Sequence, residues 1–161
     1  AVRKTTGEND IMLFTNDGMG IRFSEDDTRP MGRDTMGVRG VRLRDDDFVV
    51  AMAVDEEGEE VLLLTSGGYG KRTAIDQFPR QKRGGVGVKA IKLTRVRGTL
   101  VGARAVAPGS EIFAISSNGI VIRTAVDSIS RQGRNATGVK VMSPGEGGEV
   151  TAFAPIPVDE E

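Results

Sequence analysis

One glycine-rich loop combines the residue types that bind phosphate groups. It runs from Pro79 to Lys89 and reads P-R-Q-K-R-G-G-V-G-V-K. Glycine lets a phosphate approach the backbone, exposed amides form anion-binding concavities, and Lys and Arg neutralise the charge. The loop lacks the G-x-x-x-x-G-K-[ST] spacing of a nucleotide-binding P-loop. The pattern therefore predicts contact with a polyanion.

The residue types of common enzyme sites are missing. The 161 residues include no His and no Cys, which excludes Ser-His-Asp and Cys-His sites and thiolate zinc sites. We expect no catalysis, cofactor or metal in this chain alone. No apolar run approaches the roughly 18 residues of a membrane span. Because Ala1 stands where an initiator Met would be, we expect an excised, soluble, cytoplasmic fragment without a membrane partner.

Charge is segregated along the chain, although the formal net charge is −1. Residues 67–110 carry ten Lys and Arg against one Asp, a net charge of +9. Residues 44–60 carry eight acids against one Arg, a net charge of −7, and the chain ends in three acids. This asymmetry favours a polyanionic partner at the basic part. The alternative is a mixed, solvated surface.

Three copies of one pattern organise the chain. They begin with D-I-M-L-F-T-N-D-G at Asp10, E-V-L-L-L-T-S-G-G at Glu60 and E-I-F-A-I-S-S-N-G at Glu111. Each copy has about 50 residues and four apolar stretches, with a Gly- or Asn-containing hairpin signal between the first two. No convincing helical period appears. The predicted strands are 11–15, 61–65 and 112–116; 20–23, 70–73 and 121–124; those starting at Val38, Val88 and Val139; and 48–54, 100–106 and 150–156.

Four strands per copy predict an all-β, propeller-like array. We expect three four-stranded blades that form an open arc, with a β-sandwich as the alternative. Pro155 and Pro157 indicate that the last copy ends as an edge strand or unravels. The predicted divisions are 1–9 (end of a preceding blade), 10–59 (first blade), 60–110 (second blade, with loop 81–87) and 111–161 (third blade and start of an acidic tail).

Three positions are basic in every copy. Burying an unpaired charge is costly, so the hydrophobic core does not explain why these charges are repeated. The first column could instead be structural, paired with the repeated acid that opens each copy. The other two columns have no matching acid and predict a basic band that runs from blade to blade. The columns are Arg22, Arg72 and Arg123; Arg33, Arg83 and Arg134; and Arg39, Lys89 and Lys140.

Aromatic residues are scarce, at 4%. Proteins that bind single strands use aromatic side chains as stacking platforms. Their scarcity favours duplex DNA held through its phosphates, which positions the DNA without reading its sequence. For the one Tyr, Tyr69, we expect a packing role in the core or at the rim.

Several segments together carry a family resemblance. They are I-M-L-F-T-N-D-G at 11–18, M-G-R-D-T-M-G-V-R-G-V-R-L at 31–43, G-Y-G-K-R-T-A at 68–74, G-R-N-A-T-G-V at 133–139 and P-V-D-E-E at 157–161. Nearly the whole chain resembles the C-terminal half of the DNA-wrapping domain of gyrase A proteins. The resemblance implies a β-pinwheel, in which blades exchange strands and duplex DNA bends around a basic outer rim. It also implies a role in ATP-dependent negative supercoiling by DNA gyrase, a type II topoisomerase.

The resemblance assigns residues and partners. Residues 81–87 resemble the family's gyrase box, with Val86 at its basic sixth place, so the loop is a second wrapping element or a decayed copy. The implied partners are double-stranded DNA on the bacterial chromosome and the remainder of an A2B2 enzyme, in which ATP and Mg are used elsewhere. The alternatives are the topoisomerase IV equivalent and a protein-interaction propeller. The expected DNA contacts are Arg22, Arg33, Arg39, Lys71, Arg72, Arg80, Gln81, Lys82, Arg83, Gly84, Gly85, Gly87, Lys89, Lys92, Arg123, Arg131, Arg134 and Lys140.

Overall fold

The computed structural model describes residues 1–156 and contains strands joined by turns and short 3-10 segments. Within this range no helix is long and apolar enough to cross a membrane. The 3-10 segments are Glu25–Asp27, Asp55–Glu57, Ile75–Gln77 and Val126–Ser128. The strands are β1 (Asp10–Thr15), β2 (Met19–Ser24), β3 (Val49–Val54), β4 (Glu60–Thr65), β5 (Tyr69–Ala74), β6 (Val88–Lys89), β7 (Leu100–Val106), β8 (Glu111–Ser116), β9 (Val121–Ala125), β10 (Val139–Lys140) and β11 (Val150–Ile156).

Each copy opens with a tight antiparallel hairpin: β1–β2, β4–β5 and β8–β9. The turn glycines Gly18, Gly68 and Gly119 have φ of 79°, 85° and 79°, a region that glycine occupies without a steric cost. Their amides donate to the carbonyl three residues earlier at 2.9–3.0 Å. The hairpins confirm the strands predicted from the repeated pattern.

Strands are exchanged between copies, as the family resemblance implies. The first sheet has the order β3-β1-β2-β6, and β6 comes from the second copy; the second sheet has the order β7-β4-β5-β10, and β10 comes from the third copy. The third sheet has the order β11-β8-β9, so it has three strands among residues 1–156. The strand expected from Val38 does not form. The other two copies give this strand to the copy before them, and the described chain holds no copy before the first.

The core consists of two layers, one on each face of the second sheet. Val61 and Leu63 of β4 face the first sheet, where Met12 and Phe14 are also fully buried. Leu62 and Leu64 point the other way, into a cluster with the third sheet. Successive side chains of a strand alternate between its faces, so residues 61–64 of β4 are all apolar and are buried on both faces.

The outer rim lies at one edge of the sheets. Strands β3, β7 and β11 form the opposite edge, and β7 packs against each of the other two. We define the outer rim as β6, β10, the crossing segments 79–87 and 130–138, and the corresponding loop 28–41. The all-β, propeller-like arc is therefore confirmed. Pro155 lies in β11, an edge strand as expected, whereas Pro157 and the acidic tail lie outside the described residues.

Candidate nucleic-acid interface

The two crossing segments dock on the preceding copy in the same way. The Gln81 amide donates to the Arg22 carbonyl at 2.8 Å, and the Gln132 amide donates to the Arg72 carbonyl at 2.8 Å. Short parallel bridges join Arg22 with Arg80 and Arg72 with Arg131. The box-like loop is consequently held at the junction between two blades.

A carboxylate at each junction binds two arginines. Asp10 is fully buried and accepts from Arg22 Nε at 2.6 Å and from Arg80 Nε at 2.8 Å. Burial alone would raise the pKa of Asp10, but the hydrogen bonds and charges of Arg80 and Arg22 outweigh it and lower that pKa.

Glu60 repeats this cluster one blade later. It accepts from Arg72 Nη1 at 2.8 Å and pairs with Arg131 Nε at 2.9 Å. Each acid thus ties its own hairpin to the strand that arrives from the next copy.

These contacts correct part of the expected DNA-contact set. Arg22 and Arg72 are half-buried and bonded to acids and carbonyls, so the structural alternative for the first column is right for them. Arg80 and Arg131 bind the same acids and so help to hold the blades together, but 58% and 62% of their side chains stay exposed, and their contact with DNA stays a prediction. Arg123 pairs with Glu111 but keeps 59% of its side chain exposed, so its contact with DNA stays a prediction.

Lys71 also departs from its expected role. Its side chain is fully buried, and Nζ donates to the carbonyls of Gly133 at 2.5 Å and Arg134 at 2.8 Å. Burial, with a smaller effect from the charge of Arg134, lowers the pKa of Lys71 to about 8. Lys71 therefore anchors the third copy's loop and does not reach DNA. The sequence contained an indication that Lys71 is buried, because the matching positions in the other two copies are the apolar residues Ile21 and Ile122.

The box glycines serve close packing between chain segments. The Gly84 amide donates to the Gly40 carbonyl at 2.7 Å, and the Gly85 carbonyl accepts from the Arg42 amide at 2.8 Å. A Cβ on Gly87, at φ +81°, would lie 2.4 Å from the Gly20 carbonyl oxygen. The Gly84 amide and the space beside Gly87 are thus taken by chain contacts, while the role of these glycines in binding phosphate stays a prediction.

The second and third basic columns meet across each junction. Arg83 Nη1 donates to the Arg39 carbonyl at 2.6 Å. One blade later, Arg134 Nη1 donates to the Lys89 carbonyl at 3.0 Å. Each junction therefore carries two neighbouring cationic residues from different copies. The sequence analysis treated the second and third columns as separate. Strand exchange brings a residue of one column next to a residue of the other at each junction.

Exposed cations surround these paired positions. Lys82 has 93% of its side chain exposed, with Asp27 at 3.4 Å. The Arg83 amide and, more weakly, Lys82 lower the pKa of Asp27. The other expected contacts that are exposed or half-exposed are Arg33, Arg39, Lys89, Lys92 and Lys140, while Gln81 is half-buried. The site prediction omitted the cations Arg29, Arg42, Arg44 and Arg95, which occupy no basic column.

Tyr69 packs at the rim, as expected. The Arg97 guanidinium carbon lies 4.6 Å from its ring centroid and Lys140 Nζ lies 5.7 Å from it. Both distances suit cation–π attraction. The ring therefore holds two cations close to the outer rim.

Comparison with known proteins identifies the repeats. The family described as the DNA gyrase C-terminal domain, a beta-propeller, matches residues 9–54, 59–107 and 110–157. The gyrase A protein of Mycobacterium bovis (strain BCG / Pasteur 1173P2) is 46% identical over 151 residues. That alignment covers 92% of this chain and 18% of the relative, so the chain spans a small part of it.

Two solved structures share the fold. The DNA gyrase A C-terminal domain superposes with a TM-score of 0.88 at 26% identity, over 95% of this chain and 52% of that one. The C-terminal domain of DNA topoisomerase IV superposes with a TM-score of 0.89 at 22% identity, over 97% and 49%. The chain superposes equally well on both structures, so its shape does not distinguish the gyrase domain from the topoisomerase IV domain. The similarity to the topoisomerase IV domain shows only that the fold is shared.

Proposed function

The chain belongs to the DNA gyrase C-terminal domain family, and on that premise we propose that it binds and bends duplex DNA around its outer rim. The contacts go to phosphates and are independent of sequence. The observation that carries the proposal is the pairing of cationic residues at each junction, Arg39 with Arg83 and Lys89 with Arg134.

Cationic residues gathered at one rim favour an anionic ligand, because together they create a positive potential there. Positive residues distributed along an arc can also contact a bent duplex at several points, which a single patch cannot do. The assigned contacts are exposed or half-exposed residues of the rim together with Lys92, whose amide donates to the Ala136 carbonyl of a crossing segment at 3.1 Å. The rim residues are Arg33, Arg39, Lys82, Arg83, Lys89, Arg134 and Lys140. The arginine–carboxylate clusters at Asp10 and Glu60 hold these residues in place.

Bending sets the energy that these contacts must offset. A bend of 40–90° over 20–30 bp costs on the order of 1–6 kcal/mol. If six rim cations each neutralise a phosphate, the slope of log K against log salt is about −5. The proposal therefore requires that contacts distributed along the rim offset this bending cost at low salt.

The larger context belongs to the same proposal. In a longer gyrase A protein, wrapping by these blades would support ATP-dependent negative supercoiling, with ATP and Mg used elsewhere in an A2B2 assembly. The location would be the bacterial cytoplasm, on the chromosome.

The experiment is a salt series with a random-sequence duplex of about 40 bp. Binding is measured for the wild type, for the triple variant Lys82→Ala, Lys89→Ala, Lys92→Ala, and for Arg104→Gln. Arg104 lies on β7, at the edge opposite the rim, and its replacement removes one positive charge away from the rim. We expect the triple variant to bind more weakly with a slope shallower by about 3, and Arg104→Gln to match the wild type.

Three results would contradict the proposal. One is the absence of binding at low salt. Another is binding that persists at high salt, which would favour a protein-interaction propeller. The third is an equal loss in the triple variant and in Arg104→Gln, which would show a general charge effect without a rim.

A further inference from the structure

Tyr69 brings together two cationic side chains from different copies. It lies in β5, directly opposite Lys140 of β10, the strand that the third copy gives to the second sheet. Lys140 Nζ lies 5.7 Å from the ring centroid, and the guanidinium carbon of Arg97, from the loop before β7, lies 4.6 Å from it. We call these three side chains the tyrosine cluster. It belongs to the junction between the second and third blades.

Neither cation of the tyrosine cluster is neutralised by an acid. The ion pairs among residues 1–156 include neither Arg97 nor Lys140. Arg97 Nε is buried and has no hydrogen-bond partner in this range, although buried polar groups are nearly always hydrogen-bonded. The aromatic ring therefore holds the guanidinium in the place of an acceptor. Two positive charges remain available to an anion.

Backbone contacts fix both cations relative to the hairpin turn of the second copy. The Gly67 amide donates to the Arg97 carbonyl at 3.0 Å, and a Cβ on Gly67 would lie 2.7 Å from that oxygen. On the other side, the Gly68 carbonyl accepts from the amide of Val141, the residue after Lys140, at 2.8 Å. Groups that are already ordered lose little conformational entropy when a ligand binds. The tyrosine cluster is thus preorganised.

The other two copies lack the ring and the arginine. In the first sheet, Lys89 lies opposite Met19, so the matching cross-strand pair contains no aromatic side chain. Arg97 stands three residues before β7, and the corresponding residues before β3 and β11 are an acid and a glycine. The residues that replace Tyr69 are Met19 and Ile120, and those that replace Arg97 are Asp46 and Gly147. The tyrosine cluster is consequently a feature of the second blade.

Charge differs between the two ends of the second blade. Loops 65–69 and 93–99, at the end of the hairpin turns, contain Arg95 and Arg97 and no acid. The 3-10 segments lie at the opposite end, because they follow the ends of β2, β3, β5 and β9 that are remote from the turns. Each 3-10 segment contains at least one acid and none contains Lys or Arg. A duplex on the rim is therefore attracted toward the hairpin-turn end of this blade.

We propose that Arg97 and Lys140 together bind one phosphate of the duplex, at the hairpin-turn end of the outer rim. This inference rests on the proposed function and adds to it a site that includes an arginine outside the basic columns. A guanidinium donates two parallel hydrogen bonds to a phosphate, and an ammonium adds a point charge. Tyr69 is a positioning residue, because its ring is engaged by the cations and acts on DNA through them.

The first test repeats the duplex salt series with the full 161-residue chain. Arg97→Gln should weaken binding at low salt at least about threefold. The matched control is Arg44→Gln, which removes an exposed arginine at the hairpin-turn end of the first blade, next to three acids, and should bind as the wild type does. In the double variant Arg97→Gln, Lys140→Gln the salt slope should become shallower by about 0.9, since one phosphate contact is lost.

The second test changes the ring at constant charge. Tyr69→Leu leaves every cation in place but removes the ring that orders two of them, so it should weaken duplex binding at least about twofold. Tyr69→Phe retains the ring and should restore wild-type binding. Circular dichroism and thermal melts show whether each variant folds.

The third test observes the site directly. Tyr69 is the only tyrosine of the chain, so selective isotope labelling of tyrosine gives one set of ring signals in NMR spectra. The duplex should shift these signals in the wild type, and the shift should be lost in Arg97→Gln. Inorganic phosphate, at the same ionic strength and phosphate concentration, should not reproduce it.

The outcomes separate this site from the proposed function. A wild type that does not bind the duplex would contradict both. Duplex binding that the Arg97 and Lys140 substitutions leave unchanged, or an equal loss in Arg44→Gln, would overturn the site alone. A slope change of about 1.8 in the double variant would mean two separate phosphates and would overturn the shared one. An equal shift with inorganic phosphate would make the cluster a site for free anions and overturn its assignment to DNA.

Discussion

The carboxylate of Asp10 and the guanidinium of Arg80, seventy residues apart in sequence, form a hydrogen bond of 2.8 Å at the first blade junction. Arg22, from the same hairpin as Asp10, completes the cluster. The repeated acid therefore does two tasks at once, since it neutralises the hairpin's arginine and fixes the strand that arrives from the next copy. Arg22 is therefore committed to the junction, whereas the exposed cations of the outer rim lie outside this cluster and are available to a ligand.

Replacing Asp10 should loosen the first junction. Asp10→Asn removes a charged acceptor from two arginines, and hydrogen bonds to charged groups contribute about 1.5–3 kcal/mol. We expect the free energy of unfolding, measured in urea, to fall by about that amount. Glu111→Gln is the control, because the Glu111–Arg123 pair is exposed and exposed pairs add little. A larger loss in the control would contradict this account of the junction.

Asp10 should also make the protein sensitive to acid. Its pKa is lowered in the folded state from an ordinary value of 3.8, so the unfolded chain binds the proton more readily. The stabilisation is complete well above pH 3.8 and is lost as the pH falls through the lower, folded pKa. Urea midpoints measured between neutral pH and about pH 3 should therefore decline less steeply in Asp10→Asn. Parallel curves for the two proteins would show that Asp10 is not responsible.

Lys71 should act in the alkaline range. Its folded pKa is about 8, below the ordinary 10.5, so the unfolded chain binds more protons between these values and stability rises with pH. In Lys71→Met that rise should disappear from unfolding free energies measured across the interval. Lys89→Met, on an exposed rim residue, should retain the wild-type slope.

Gly87 and Gly37 provide a matched pair at one repeated position. Alanine at a positive φ costs about 1–2 kcal/mol at either site. Gly87→Ala also forces a Cβ to 2.4 Å from the Gly20 carbonyl oxygen, whereas Gly37→Ala meets open space. Thermal unfolding should show Gly87→Ala less stable than Gly37→Ala by at least about 1 kcal/mol. Equal losses would mean that the close approach of the two glycines is unimportant.

Lys82 and Arg83 should separate binding from folding. Lys82 is exposed, so Lys82→Ala should weaken duplex binding, reduce the salt slope by about 0.9 and leave the melting temperature unchanged. Arg83 donates to the carbonyls of Asp27 and Arg39, so Arg83→Ala should lower both affinity and melting temperature. Duplex titration and thermal melts check the two variants, and indistinguishable behaviour would refute the separation.

The sequence predicted the hairpins because each carries local information. The apolar stretches 61–65 and 100–106 and the glycines between strands determine β4, β5 and β7 within a residue or two. The strand expected from Val38 failed for a non-local reason: it needs an acceptor from another copy. The residues of one copy give no information about the strand of another copy with which they would pair.

The candidate site was predictable in part for the same reason. Repetition located Arg39, Arg83, Lys89 and Arg134, which the structure brings together in pairs. It did not show that Arg80 would cross to Asp10, because that contact joins different copies. The role of Lys71 could be predicted only by comparing the three copies at this position. Isoleucine occupies the matching position in the other two copies, which indicates a buried site.

Strand exchange also sets an order of events during synthesis. The first sheet cannot be completed when its own copy has been made, because β6 begins 34 residues after β3 ends. At 5–20 residues per second, a ribosome needs about 2–7 s to supply that stretch. During this interval the outer edge of β2 has no strand paired with it, because β6 has not yet been synthesised. The first and second blades are thus each completed by the copy that follows, so their folding lags translation by one repeat.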